Sequence, residues 1–126
     1  MSLPIYDLEE RMIAFALQVI HVAEQLPGTK AGNHLAGQMI RSGTSSALNY
    51  GEAQAAESKA DFIHKLRVVL KELRETYIAL RISIRLDVPD PKHTLKDAVT
   101  ECNELIAIFV ASIRTARGRE RTDRAQ

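Results

Sequence analysis

The chain is poor in most of what covalent bracing or catalysis requires. A single cysteine, Cys102, leaves no intrachain disulfide framework and suits a reducing compartment. Set beside Val99 and Ile106 on a helical pattern, it reads as a small core residue rather than a reactive thiol. No apolar run approaches the ~20 residues that cross a bilayer, so a membrane is not expected as a partner. The first residues carry Asp7, Glu9 and Glu10 in place of a basic leader. That argues against a secretory signal and makes the cytoplasm the expected location.

Charge of one sign is also missing. A formal net charge of +1 lacks the excess of a typical nonspecific nucleic-acid binder. No glycine-rich loop follows a strand, and Ser42, Ser45 and Ser46 stand without a hydrolase arrangement of histidine and acid. A di-iron carboxylate bundle needs acids from all four helices and Glu-x-x-His on two of them. Asp61-x-x-His64 supplies a half-motif whose acid is better explained as a helix cap, and Glu101-x-x-Glu104 has no histidine. The reading is of a non-enzyme with no catalytic residue, metal or cofactor.

What the chain does have is helical patterning. Hydrophobic residues make up 45%, enough for a folded core, and 126 residues fit one domain. Asp7 and Glu10 form a capping-box pattern for a helix over about 7–26, ended by Pro27-Gly28. Its stripe is Leu8, Met12, Phe15, Val19, Val22 and Leu26. Residues 27–32 read as a loop. A second helix over about 33–56 carries Leu35, Met39, Ile40, Ala47, Leu48 and Ala55, with Gly37, Gly43 and Gly51 inside it. Each glycine costs a helix roughly 1 kcal/mol against alanine, so close packing against neighbouring helices is expected there, with a kink as the alternative.

The third helix, about 58–86, has the clearest pattern. Ser58 and Asp61 read as its start. Phe62, Leu66, Val69, Leu73, Tyr77, Leu80 and Ile84 recur at steps of three and four, one face at about 100° per residue. Pro89 and Pro91 then impose a break. A fourth helix, about 92–116, buries Leu95, Val99, Cys102, Ile106, Phe109 and Ile113, with Gly118 as its stop and 117–126 as a tail. Four helices with short connections indicate an all-α, antiparallel up-down-up-down four-helix bundle.

One stretch carries a family likeness. Ser42-Gly43-Thr44-Ser45, Asn49-Tyr50, Glu52-Ala53, Glu57-Ser58-Lys59, Asp61-Phe62-Ile63-His64-Lys65, Leu70-Lys71-Glu72 and Glu75-Thr76 resemble, in order and spacing, the four-helix bundle proteins also called 23S rRNA intervening-sequence (S23) proteins. Gly51 stands where relatives usually carry a basic residue, and Tyr77-Ile78-Ala79 replaces a more polar and aromatic run. The resemblance implies an antiparallel four-helix bundle assembled with copies of itself into a ring such as a homopentamer. It implies no molecular function.

Two surfaces remain after the core is assigned. Val68, Ile78, Ile82 and Leu86 on helix three, and Ile13, Leu17 and Ile20 on helix one, lie outside the core stripes. A second apolar strip on a bundle helix usually meets another subunit, so self-association is expected there. Arg67, Lys71, Arg74, Arg81 and Arg85 share one face of helix three, spread over about 80°. From 58 to 86 there are seven Lys or Arg against three Asp or Glu. Such a stripe suits RNA or DNA phosphates, or pairs with acids across a subunit contact. The tail from Arg114 adds five arginines against two acids and reads as solubilising, or as a polyanion-binding arm. Arg41, Asn49 and Glu52 are expected to form a buried polar cluster that specifies packing.

Overall fold

Each helix begins at an oxygen that takes up its free first-turn amides. The computed structural model describes the backbone of residues 7–125 and the side chains of residues 7–118. It contains α1 (Leu8–Glu24), α2 (Lys30–Gln54), α3 (Lys59–Arg85) and α4 (Thr94–Ala125), with no strand among the described residues. Asp7 Oδ1 accepts from the Glu10 amide at 3.2 Å, and Ser58 Oγ from that of Asp61 at 3.0 Å. The Asp90 carboxylate accepts from the amides of Leu95 and Lys96 at 3.0 and 3.2 Å.

The second helix starts three residues earlier than its pattern suggests. Thr29 caps it, with Oγ1 accepting from the Gly32 amide at 3.1 Å. Gly32 looks like a loop residue but is a first-turn contact. A Cβ there would lie 1.9 Å from the carbonyl oxygen of Pro27, so only glycine lets this turn back onto the preceding chain. At the other end of the protein, Gly118 does not stop α4, which continues to Ala125. No described glycine has a positive φ, and an interior helical glycine costs only roughly 1 kcal/mol, which neighbouring arginines of good helix propensity can carry.

The helices meet in a closed order. α1 packs on α2 and α4, α3 packs on α2 and α4, and among the described residues the α1 and α3 backbones do not approach one another closely. The first and third helices therefore occupy opposite corners. Pairs across α2 and α3 join Glu52 to Lys65 and Ser42 to Thr76, so positions climb α3 as they descend α2. Between the helices lie Met12, Phe15, Val19, Met39, Leu66, Val69, Leu73, Leu80, Leu105 and Phe109, all essentially inaccessible to water. Burial of a side chain of this size contributes about 1.5–3 kcal/mol.

The buried phase of three helices differs from the apolar pattern. On α3 the core positions run Leu66, Val69, Leu73, Thr76, Leu80 and Ser83, an unbroken alternation of three and four. Tyr77 is only half-buried and Ile84 is exposed. Thr76 and Ser83 hold the core places because each hydroxyl donates to the carbonyl one turn back, of Glu72 at 2.8 Å and Ala79 at 2.9 Å. A hydroxyl satisfied this way is cheap to bury. On α4, Ala98 and Leu105 are buried and Val99 and Ile106 lie at the margin. On α2, Leu48 is 70% exposed, Ala55 follows the last helical residue, and Ser42, Gly43 and Ser46 are buried instead.

The Ser-Gly-Thr-Ser element has a role at each position. Ser42 Oγ meets Thr76 Oγ1 at 2.7 Å inside the core. Gly43 admits α1, since a Cβ would stand 3.0 Å from Val19 Cγ1. Thr44 donates to the Ile40 carbonyl at 2.7 Å, and the Ser45 hydroxyl and carbonyl accept from the Asn49 amide group at 3.0 and 2.9 Å. Close packing holds for Gly43 alone: a Cβ on Gly37 or Gly51 would meet nothing within 4 Å. Helix α2 runs through all three glycines as one element.

Candidate interaction surface on the third helix

With its core face buried, α3 turns a mixed face outward. Arg67, Lys71, Arg74, Arg81 and Arg85 are all exposed, and between them Ile78 and Ile82 are 50% and 45% exposed. Val68 is half-buried. A groove of about 720 Å³ runs along α2 and α3 beneath this face. Leu35, Leu70, Ala79, Ile78 and Ile82 supply apolar walls, and Arg67, Lys71, Arg74, His34 and Gln38 supply a polar rim that also includes one acid, Glu75. A second groove of about 410 Å³ separates α3 from α4 and is lined by Leu70, Arg74, Val110, Ile113, Arg114 and Arg117. Arg74 lines both.

The acids nearest the stripe do not neutralise it. Glu72 and Glu75 turn toward α2, where Arg41 holds them at 3.3 and 2.5 Å. Hydrogen bonding to Glu75, with the Glu72 charge beside it, holds the Arg41 guanidinium above its ordinary value. Among the described residues no carboxylate engages Arg67, Lys71, Arg74 or Arg85. Arg81 lies over the Tyr77 ring, 5.3 Å from its centroid, a cation–π contact. The stripe is thus a run of uncompensated cations with an apolar centre.

The opposite corner carries the other apolar strip. Ile13 and Leu17 on α1 are 44% and 53% exposed, while Ile20 is half-buried.

Arg41, Asn49 and Glu52 do not come together as one buried cluster. Arg41 and Glu52 are exposed. Arg41 pairs with Glu72 and Glu75, Asn49 with Ser45, and Glu52 with Lys65 at 3.2 Å. Positions 41, 49 and 52 are separated along α2 by two and one helical turns, so each finds its partner locally or on α3. The buried polar pair between helices is Ser42 with Thr76. Only the continued alternation of three and four along α3 hints at it.

The acids weighed as metal ligands have other roles. Glu101 takes both Nε and Nη2 of Arg11, at 2.8 and 2.7 Å, and Glu104 takes Nη2 at 2.8 Å. This fork ties α1 to α4. Asp61 sits in the first turn of α3, and Asp90, which also precedes a histidine by three residues, has both oxygens on α4 amides. Among the described residues no three His, Cys, Asp or Glu side chains gather as a metal site. Tyr50 packs edge-on to Phe109 with 5.5 Å between ring centroids, and Gln54 donates to its hydroxyl. Burial raises the phenol.

Cys102 lies in the core with its thiol directed at the Leu73 carbonyl, 3.3 Å away. Burial pushes the thiol from 9.0 up to about 12. The thiolate is the reactive form, so native protein at pH 8 is expected to resist iodoacetamide while denatured protein is alkylated promptly. Stoichiometric labelling without loss of helicity would contradict this placement. The linkage has a defined sign. The unfolded chain releases this proton at lower pH than the native chain, so the thiol's contribution falls away as pH rises from about 9 toward 12.

Among the described residues no helix is long and apolar enough to cross a membrane. Residues 6–111 match the family model described as 23S rRNA-intervening sequence protein. The chain is also similar to a crystal structure from Bacteroides thetaiotaomicron, described as a protein of unknown function from the S23 ribosomal protein family. The two are 28% identical with a TM-score of 0.76, and the match covers 84% of this chain and 97% of that one. No curated protein sequence matches the chain.

Proposed function

This chain belongs to the 23S rRNA-intervening sequence protein family, and from that membership we propose that it is a non-catalytic, cytoplasmic interaction scaffold. In this reading it is a single-domain, antiparallel up-down-up-down four-helix bundle whose copies assemble into a ring. The observation that carries the proposal is the pair of exposed apolar strips, Ile13 and Leu17 on α1 and Ile78 and Ile82 on α3, on helices whose backbones do not approach one another. Two unlike strips at opposite corners cannot satisfy one another within a subunit. A head-to-tail contact satisfies both at once, and its repetition closes a ring where the rotation between neighbours divides a full turn. Five subunits is the number that the family resemblance implies.

A second reading rests on a different observation, the cations without acids. Arg67, Lys71, Arg74, Arg81 and Arg85, continued by Arg114 and Arg117 across the α3–α4 groove, form a surface suited to RNA or DNA phosphates. In this reading the protein is a nucleic-acid-binding accessory factor. The family's name mentions 23S rRNA, and the similar structure is described as of unknown function, so neither decides between the two.

The test is absolute mass by light scattering, with and without a structured RNA. The expected result is one discrete species at a multiple of the 14.0 kDa subunit mass that leaves the RNA free. An oligomer whose RNA complex weakens steeply with salt would transfer the function to the accessory factor. A monomer that ignores RNA would overturn both readings.

A further inference from the structure

Symmetry fixes the direction in which the α1 and α3 strips of two copies can meet. In the up-down-up-down bundle proposed above, α1 and α3 run the same way, and the subunits of a ring are related by rotation about one axis. With the bundles set along that axis, α1 of one copy lies parallel to α3 of the next and at its own level. The interhelix contacts give that level. Val19 lies beside Gly43, next to Ser42, and Ser42 meets Thr76. This path sets α1 positions level with those about 56 further along the chain in α3. Arg11 holds Glu101 and Glu104, and Cys102 between them meets Leu73. This path makes the difference about 62.

The charges match at that level. On α1 the exposed positions Glu10, Leu17 and Glu24 fall within about 60° of one another around the helix. On α3 the exposed positions Lys71, Ile78 and Arg85 are equally aligned. Each set has an apolar residue midway between two like charges, ~21 Å apart in either helix. None of the four charges has an ion-pair partner among the described residues of its own chain. Glu10 with Lys71 and Glu24 with Arg85 both differ by 61 positions, between the two values that the contacts give. We infer that α1 of a second copy occupies the α3 strip in parallel, with Glu10 beside Lys71, Leu17 beside Ile78, His21 beside Ile82 and Glu24 beside Arg85. Ile13 and Ile20 then lie along the stems of Arg74 and Arg81, whose charged heads stay in water. Moving α1 one turn along, to oppose Ile13 to Ile78 and Leu17 to Ile82, sets Glu10 against Glu75 and carries Glu24 past the end of α3. Each subunit gives one strip of each kind. The contact presupposes the ring proposed above and specifies which residues close it.

Cross-linking tests the direction. Glu10→Cys with Lys71→Cys in one chain, treated with a bismaleimide on a short spacer, is expected to give covalent multimers. Glu10→Cys with Arg85→Cys is expected to give none, since ~21 Å separates the two α3 sites. All three positions are exposed, so the variants keep their helical circular dichroism, and the buried Cys102 does not compete. Multimers from the second pair would mean an antiparallel contact, and multimers from Glu10→Cys alone a like-to-like one. Either overturns the inference. Charge exchange tests the register. Glu10→Lys is expected to raise the concentration for half-assembly at least about tenfold, and the further change Lys71→Glu to reverse that rise. Reversal by Arg85→Glu in place of Lys71→Glu would overturn the register. An oligomeric wild type with no multimers from Glu10→Cys and Lys71→Cys leaves the scaffold reading standing and overturns the pairing. A monomeric wild type removes the scaffold reading itself, so the two failures are distinguishable.

Discussion

Replacing Phe109 with alanine is expected to lower folding stability by about 3–5 kcal/mol, the largest loss available from one side chain here. The ring is wholly buried on α4 and meets Tyr50 of α2 edge-on. The substitution therefore removes apolar burial and an aromatic pair together, and leaves a cavity between helices that packing elsewhere holds apart. For a chain of this size the midpoint of thermal unfolding should fall by roughly 10–20 °C. The companion Leu48→Ala is expected to change stability by less than about 0.5 kcal/mol, because Leu48 stands in solvent. Both should be melted at one protein concentration, since assembly raises apparent stability by mass action. Equal shifts in the two variants would mean that the helices do not bury the faces described.

Phe109 and Leu48 also show what an amino-acid pattern can and cannot reveal. Both sit among apolar residues at helical spacing, and only one is inside. Helix existence was legible throughout, because cap residues and apolar periodicity act locally: Asp7 and Ser58 start the helices that they were expected to start. Phase was less legible. Thr76 and Ser83 are core residues by position and polar by chemistry, so an apolar count passes over them and takes Tyr77 and Ile84 instead. The hydrogen bonds that make those hydroxyls cheap to bury run to carbonyls of the same helix, and composition does not record them. Likewise Gly32 signals a loop to any local rule. Its contact with Pro27 is a property of the folded path.

The surface divides in the same way. The outward cations of α3 and the surplus apolar residues of α1 and α3 could be read directly, because an amphipathic helix with too many apolar positions must expose some. Which charges were already satisfied could not be read. Glu72 and Glu75 look like natural partners for Lys71, at one and four residues' separation. The structure gives both acids to Arg41 on another helix, and this leaves the stripe positive. Arg41, Asn49 and Glu52 look like a cluster in sequence because they recur along one helix, yet their partners lie on different residues in different places. Ion pairs between helices depend on how the helices pack, and that is settled by the buried residues rather than by the charges.

Reversing Arg67, Lys71 and Arg74 together to glutamate is expected to abolish assembly while leaving each subunit folded. The three are exposed and outside the core, so circular dichroism should change little, and the thermal midpoint should fall only by what assembly adds through mass action. They rim the α2–α3 groove, and the exchange turns three cations into three anions on the face that the scaffold reading sets against another copy. Reversing the charge around an interface removes its electrostatic complementarity and suppresses association, and light scattering should report the subunit mass. The rival reading makes a different forecast. If the cations serve phosphates, the assembly keeps its mass and RNA binding disappears. Wild-type affinity should then already show the dependence on salt that three phosphate contacts impose, on the order of 20- to 40-fold weaker between 50 and 200 mM. A scaffold shows no such RNA term to lose. One variant therefore separates a stripe that joins subunits from a stripe that reads phosphates, because it damages mass in the first case and binding in the second.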